Sequence, residues 1–173
     1  MDSSRPTTCR WTVDEQQLIV GQAVTQETND KKQLMPMIHT IEQQAGATPA
    51  QLLADAGYCS DANLTAIADT PIDAYISTRK QTHGERPGRP GPCPRGPLPR
   101  TATRVDRMSR KLQTKAGAAV YAARKAIVEP VIGQIKQARG FRQFLLRGIE
   151  KVQGEWSLVC TTHNILKLYR LYG

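Results

Sequence analysis

Cysteine is sparse and scattered in this chain: Cys9, Cys59, Cys93 and Cys160 form no C-x-x-C pair, which argues against a zinc ribbon or a redox dithiol. They read as reduced thiols in a cytosolic protein. The three histidines, His39, His83 and His163, also lack a metal-ligand spacing, so each reads as a surface or packing residue. No apolar run reaches the roughly 18 residues of a membrane span, and no amino-terminal stretch has the signal-peptide pattern. The expected setting is therefore the cytoplasm, without a membrane partner. Aromatic residues make up only 5% of the chain, and there is no internal repeat.

What is present suits one globular domain: 173 residues, 39% hydrophobic and 23% charged. The net charge of +9 is confined to one stretch. From Arg79 to Lys115 there are eleven basic residues against Glu85 and Asp106, so 11 minus 2 is +9, and the rest of the chain is neutral. Lys and Arg that neutralise phosphates release condensed counterions, so a localised basic segment is what a polyanion-binding surface needs. A solvated, disordered basic loop is the other reading, and the sequence leaves both open.

Taken in order, residues 1–10 read as an irregular tail and 11–173 as one domain. Trp11–Val13 and Leu18–Val24 are strand-like runs separated by Asp14, Glu15, Gln16 and Gln17, a hairpin signal. Asn29 and Asp30 can cap a helix through Leu34, Met37, Ile38 and Ile41, with Pro36 near its first turn and Gly46 closing it. Leu52, Leu53 and Ala54 read as a buried strand delivering Asp55 to its carboxyl end. Ser60 or Asp61 then caps a helix through Leu64 and Ile67, and Ala74–Ile76 is a further strand. This alternation predicts an α/β domain. A basic Pro/Gly-rich loop at about 81–104 carries six prolines between residues 81 and 100, so it can form neither a helix nor a central strand. Helical spacing returns at about Asp106 and continues past Glu129. A last helix covers roughly Ile149–Tyr169, with Val152, Trp156, Val159, Cys160, His163 and Leu166 on or near one face.

Within Tyr121–Lys136, YAARKAIVEPVIGQIK, Glu129 sits among apolar residues and shares a helix face with Lys136, seven residues on. Asp55 and Glu129 are the two acids worth joining. Two Mg²⁺ ions about 4 Å apart need carboxylates converging from separate elements, and such a pair serves phosphodiester chemistry. The two carboxylates are then expected within about 10 Å of each other.

LADAGYCS (Leu53–Ser60), YAARKAIVEPVIGQIKQARGFRQF (Tyr121–Phe144) and EWSLVCTTHNILKLYR (Glu155–Arg170) together resemble the carboxyl-terminal part of a bacterial insertion-sequence transposase with a DDE catalytic domain, of the IS5/IS1182-like kind. The resemblance implies a ribonuclease-H-like mixed sheet with flanking helices, lacking its first strand. It implies Asp55 as the second acid and Glu129 as the third, both catalytic and both ligands to Mg²⁺ or Mn²⁺. Tyr121, Arg124 and Lys136 match a Y-x2-R-x3-E-x6-K signature that orients the acid and contacts DNA at the transposon end. Separately, the basic segment itself makes Arg104, Arg107 and Arg110 expected contacts to DNA phosphates. The implied partners are transposon-end DNA and a homo-oligomer or a full-length transposase.

Two departures bear on this. Four residues, not three, separate Arg124 from Glu129, which rotates Arg124 by about 100° on a regular helix. With Pro130 adjacent, a widened turn or kink between about Arg124 and Pro130 is expected to absorb the extra residue; the competing arrangement is a regular helix in which Lys125 takes the basic partner's place. The family's first acid lies on a strand preceding the hairpin. Asp2 lacks an apolar strand context and Asp14 sits in the hairpin turn, so neither takes that role. The chain is expected to be a truncated transposase, inactive alone, or else a non-catalytic basic DNA-binding remnant that interferes with a full-length relative.

Overall fold

Asp14–Gln17 do make a turn. Asp14 N donates to Leu18 O and Gln17 N to Asp14 O, the Asp14 carboxylate accepts from Leu18 N at 2.8 Å, and Gln17 adopts a φ of 65°. The turn joins β1 (Thr8–Val13) antiparallel to β2 (Ile19–Thr25), with Thr8 opposite Thr25 and Val13 opposite Ile19. β1 thus starts at Thr8 rather than at Trp11. The structure, a computed structural model, describes residues 7–79 and 95–173. Asp2, Lys80, His83, Arg86, Arg89, Cys93 and the 81–94 part of the Pro/Gly-rich loop lie outside the described residues.

Asn29 accepts from Lys31 N and opens a short 3-10 turn, Asp30–Lys32, ahead of α1 (Leu34–Ala45), which carries Pro36 in its first turn and is followed by Gly46. β3 (Gln51–Ala54) and β4 (Asp73–Ile76) pair in parallel, and α2 (Asp61–Ala68) makes the crossover between them. Ser60, not Asp61, caps α2 by accepting from Asn63 N. The architecture is mixed α/β. Its four described strands form two two-stranded sheets, β1-β2 and β3-β4, where one mixed sheet was expected. A two-stranded sheet leaves each strand at an edge. Consistent with that, β3 is less buried than its apolar run suggests: Ala54 is buried, but Leu52 and Leu53 are only half-buried.

The helix expected from Asp106 past Glu129 is broken into α3 (Arg104–Gln113) and α4 (Lys115–Gly133). Thr114 is the reason. Its backbone is extended, and its hydroxyl donates to Lys111 O and accepts from Gly117 N, so it ends one helix and begins the next. Gly117 is required at that joint, because a Cβ there would lie 2.0 Å from Lys111 O. α4 runs into a π-helical turn, Gln134–Ala138, and α5 (Ile149–Tyr172) completes the chain.

The chain divides into two compact units. The first takes Met1–Thr28, Pro36–Ala47 and Lys125–Gly173; the second takes Asn29–Met35 and Thr48–Arg124. The first is built on an apolar cluster of Ile19, Val131, Ile135, Trp156 and Cys160. Both tryptophans and both phenylalanines of the chain meet there, with Trp11, Phe141 and Phe144 ring centroids 5.2, 6.1 and 6.2 Å from that of Trp156. Burying such rings is the largest apolar contribution per residue available. Val152, Trp156, Cys160 and His163 are the buried face of α5, while Leu166, assigned to that face by spacing, stays 47% exposed.

The same helix also covers the outer edge of β2. Asn164 accepts from Ile19 N and donates to Ile19 O, both at 2.8 Å, and Gln153 accepts from Val24 N. Side-chain amides thus take the place of a neighbouring strand, which closes an edge otherwise open to pairing. In the second unit Leu64, Ile67, Ile72, Ala74, Tyr75 and Ile76 are buried, and Ile76 N donates to Met108 Sδ of α3. Among the described residues Cys9, Cys59 and Cys160 carry free thiols, with Cys160 pushed up to about 12 by burial. Among the described residues no helix is long and apolar enough to cross a membrane.

Candidate active site and nucleic-acid interface

Asp55 follows β3 directly and caps a short 3-10 turn, Ala56–Tyr58, its carboxylate accepting from Gly57 N at 3.0 Å. The side chain remains exposed. Gly57 is crowded from two sides: a Cβ there would stand 3.1 Å from an oxygen of Asp55 and 3.1 Å from an oxygen of Asp30. The turns bearing these two acids are fastened together by one buried amide, because Asn63 Nδ2 donates to Lys31 O at 2.7 Å and to Tyr58 O at 2.8 Å. From the sequence Asp30 serves only as a cap, and Asn63 has no expected role. A polar residue on the apolar side of α2, beside Leu64 and Ile67, was the available signal.

Glu129 lies exposed on α4, which stays α-helical through Gly133. The widened turn expected between Arg124 and Pro130 is therefore absent. The π-turn comes later, at Gln134–Ala138, where Arg139 N donates five residues back to Gln134 O. The structure shows why Pro130 forces nothing nearer. Proline has no N–H to give to Ala126 O, and that carbonyl instead accepts from Gln17 Nε2 at 3.2 Å. Gln17 is itself fixed, with its backbone carbonyl on His163 Nε2 and its side-chain oxygen on Lys167 Nζ, both at 2.9 Å. On this regular helix Lys125, not Arg124, stands one turn before Glu129. Arg124 instead approaches the ring of Tyr121, its guanidinium carbon 5.8 Å from the centroid. Lys136 is exposed within the π-turn.

Asp55 belongs to the second unit and Glu129 to the first. Among the described residues no group of three or more His, Cys, Asp or Glu side chains is placed to hold a metal ion. Asp14, in the hairpin turn as expected, is occupied by Leu18 N.

The basic segment divides by use. Thr103 and Asp106 form a capping box at the start of α3, and the hydroxyl and backbone N–H of Thr103 hold the Asp106 carboxyl below its ordinary range. One of the segment's two acids is thus committed to its own helix. Arg104 and Arg107 are exposed on α3, whereas Arg110 is half-buried and donates to Gly96 O. Lys111 is structural: it bonds to Asp73 and to Ala74 O, sits 3.9 Å over the Tyr75 ring, and lowers the Asp73 carboxyl. Residues 95–103 contain neither helix nor strand, in keeping with the loop expected there.

Compared with known families, residues 98–169 match the family described as transposase DDE domain. That interval holds Arg104, Arg107, Arg110, Tyr121, Arg124, Glu129 and Lys136, and it leaves out Asp55. No curated protein and no solved structure matches the chain.

Proposed function

We propose that the chain is catalytic-domain material of an insertion-sequence transposase of the IS5/IS1182-like kind, with a ribonuclease-H-like plan, and that it engages DNA at transposon ends. The observation that carries this reading is the match of residues 98–169 to the transposase DDE domain, with Glu129 inside it. Asp55 and Glu129 take the roles of second and third acid, toward Mg²⁺ or Mn²⁺ held with a further carboxylate. Such ions supply an activated water and a stabilised leaving oxygen. The chain's own part is to present Asp55 at the end of β3, steadied by Gly57 N, and Glu129 on the α-helical stretch of α4. Tyr121, Arg124 and Lys136 touch DNA, while on the regular helix the place beside the acid passes from Arg124, which approaches the Tyr121 ring, to Lys125. Arg104 and Arg107 contact phosphates, and Arg110 does so less because Gly96 O holds part of its guanidinium.

A second reading, a non-catalytic DNA-binding protein that competes with a full-length transposase, is favoured by one observation: Asp14, one of the two acids of the hairpin turn, spends its carboxylate on Leu18 N. One experiment addresses both. Binding to duplex DNA, followed by gel shift across a salt series, is expected to weaken steeply with salt, and replacing Arg104 and Arg107 by Ala should flatten the log–log slope by about one per arginine. The chain alone, given Mg²⁺ or Mn²⁺, is expected neither to nick nor to join end DNA. Metal-dependent cleavage lost in Glu129→Gln would establish the catalytic reading in the isolated chain, and binding indifferent to salt would reject both readings.

A further inference from the structure

The loop between the π-turn and α5, residues 139–148, fixes its backbone and leaves its leucines outside. Phe141 N donates to Ile135 O at 3.2 Å, and the Phe141 and Phe144 rings, 5.4 Å apart and edge to face, both pack against the Trp156 cluster. Just beyond, the amides of Leu145 and Leu146 donate to the Glu155 carboxylate of α5 at 2.9 to 3.1 Å. Gly140 and Gly148 turn the chain at the two ends with φ of 69° and 88°, where a side chain would be strained. Leu145 is nonetheless 80% exposed and Leu146 48%. To bury them the loop would have to give up the Glu155 bonds or unseat Phe144, so the apolar tip is held outward.

We infer that Leu145 and Leu146 form a wedge that enters duplex DNA between two base pairs, at a step that is already weakly stacked. This rests on the DNA-binding reading above and adds to it a site and a preferred form of DNA. Charge decides the occupant. From Gln134 to Gly148 the chain carries four basic residues, Lys136, Arg139, Arg142 and Arg147, and no acidic one. Among the described residues no carboxylate pairs with any of these three arginines. Arg142 donates to the neutral Gln137 Oε1, and Arg139 Nη1 is buried without a partner. Glu155 spends both of its carboxylate oxygens on the leucine amides. Arg147 follows Leu146 directly, and Arg142 precedes Leu145 by three residues, within about 11 Å of chain. The minor groove is about 6 Å wide, so a tip entering it brings cations on either side of the leucines toward the phosphates of both strands.

Two contributions to binding follow, and they differ in kind. The arginines neutralise phosphates, which gives affinity that salt weakens and that ignores the step beneath. The leucines bury apolar surface only where a step opens, and opening a well-stacked step costs more than opening one that is mismatched or already deformed. The wedge therefore turns weak stacking into tighter binding. Because the loop is fixed before it meets DNA, little of that gain is lost to ordering it.

The test uses the full chain and two 20-base-pair duplexes of one sequence, one intact and one with a central two-base mismatch, each carrying 2-aminopurine beside the centre. Wild type is expected to bind the mismatched duplex about tenfold or more tightly than the intact one, with a rise in 2-aminopurine fluorescence as the base unstacks. Replacing Leu145 and Leu146 together by Ala, with native circular dichroism, should bring the ratio close to one and abolish the rise. Leu145→Met, which keeps an apolar tip, should retain both. Arg142→Ala should weaken binding to both duplexes alike and keep the ratio. Salt-dependent wild-type binding with equal affinity for the two duplexes would overturn the wedge and leave the DNA-binding reading standing. A preference that survives loss of both leucines would overturn it too, and no binding to either duplex would overturn the wedge and that reading together.

Discussion

The two units are held by different chemistry. The first gathers the chain's tryptophans and phenylalanines around Trp156 and links its pieces with neutral amides, Asn164 and Gln153 on β2 and Gln17 on Ala126 O. The second has one such amide, Asn63 on Lys31 O and Tyr58 O, and adds charge and caps: Lys111 between Asp73 and the Tyr75 ring, the Thr103–Asp106 box, Asp55 on Gly57 N and Ser60 on Asn63 N. Neutral hydrogen bonds and buried rings are little affected by salt, whereas exposed ion pairs are screened by it. The unit that carries most of the net positive charge is thus the one whose internal contacts respond to the ionic conditions that govern binding to a polyanion.

The largest blow to this contrast should come from Trp156→Ala, which removes the ring that Trp11, Phe141 and Phe144 all approach. It is expected to cost about 3 to 5 kcal/mol in urea unfolding. A loss near zero would mean the aromatic cluster does not hold the first unit. Acid comes next. Burial lowers the pKa of His163, so the unfolded chain takes the proton more readily than the folded one. Stability is therefore full above the ordinary histidine range, about 6.5, and falls as pH drops below it. In the second unit the lowered Asp73 and Asp106 carboxyls contribute above their unfolded pKa, and that contribution is lost as pH falls through the carboxylate range, below about 4. Urea midpoints taken at descending pH should show the first loss alone before the second, and His163→Gln should remove the first. The smallest effect is expected from Asp73→Asn. Its ion pair is partly exposed, so the change should cost no more than about 1 kcal/mol and should shrink in high salt. A loss as large as that of Trp156→Ala would show that the second unit depends on this ion pair as heavily as the first depends on its rings.

What could be read from the sequence was local. The hairpin, the Ser60 cap, the strand ending at Asp55 and the helix around Glu129 all follow from neighbours within a few residues, and all are present. Pro130 defeats such reading for the converse reason: its effect depends on Gln17, whose side chain reaches Ala126 O across 109 residues, which no helical spacing reveals. Lys111 looks like one more cation of a basic run until Asp73 and Tyr75, nearly forty residues earlier, claim it. The pairing of four strands into two sheets is equally hidden, because alternation fixes which way a strand faces but not which strand lies beside it. At the site, residue types point to Asp55, while Asn63, which ties its turn to that of Asp30, acts only through folded geometry.

The amides of α5 that close the edge of β2 have a consequence in time. Asn164 follows Ile19 by 145 residues, so during synthesis the hairpin exists long before the side chains that cover it. At roughly 5 to 20 residues per second, β2 would leave the ribosome with its edge open for about 7 to 30 seconds. Over that interval the two amides that bond to Ile19 and Val24 have not yet been made. Nascent hairpins on neighbouring ribosomes of one message would be the nearest candidates to pair, and the yield of folded chain becomes a race between α5 and its neighbours.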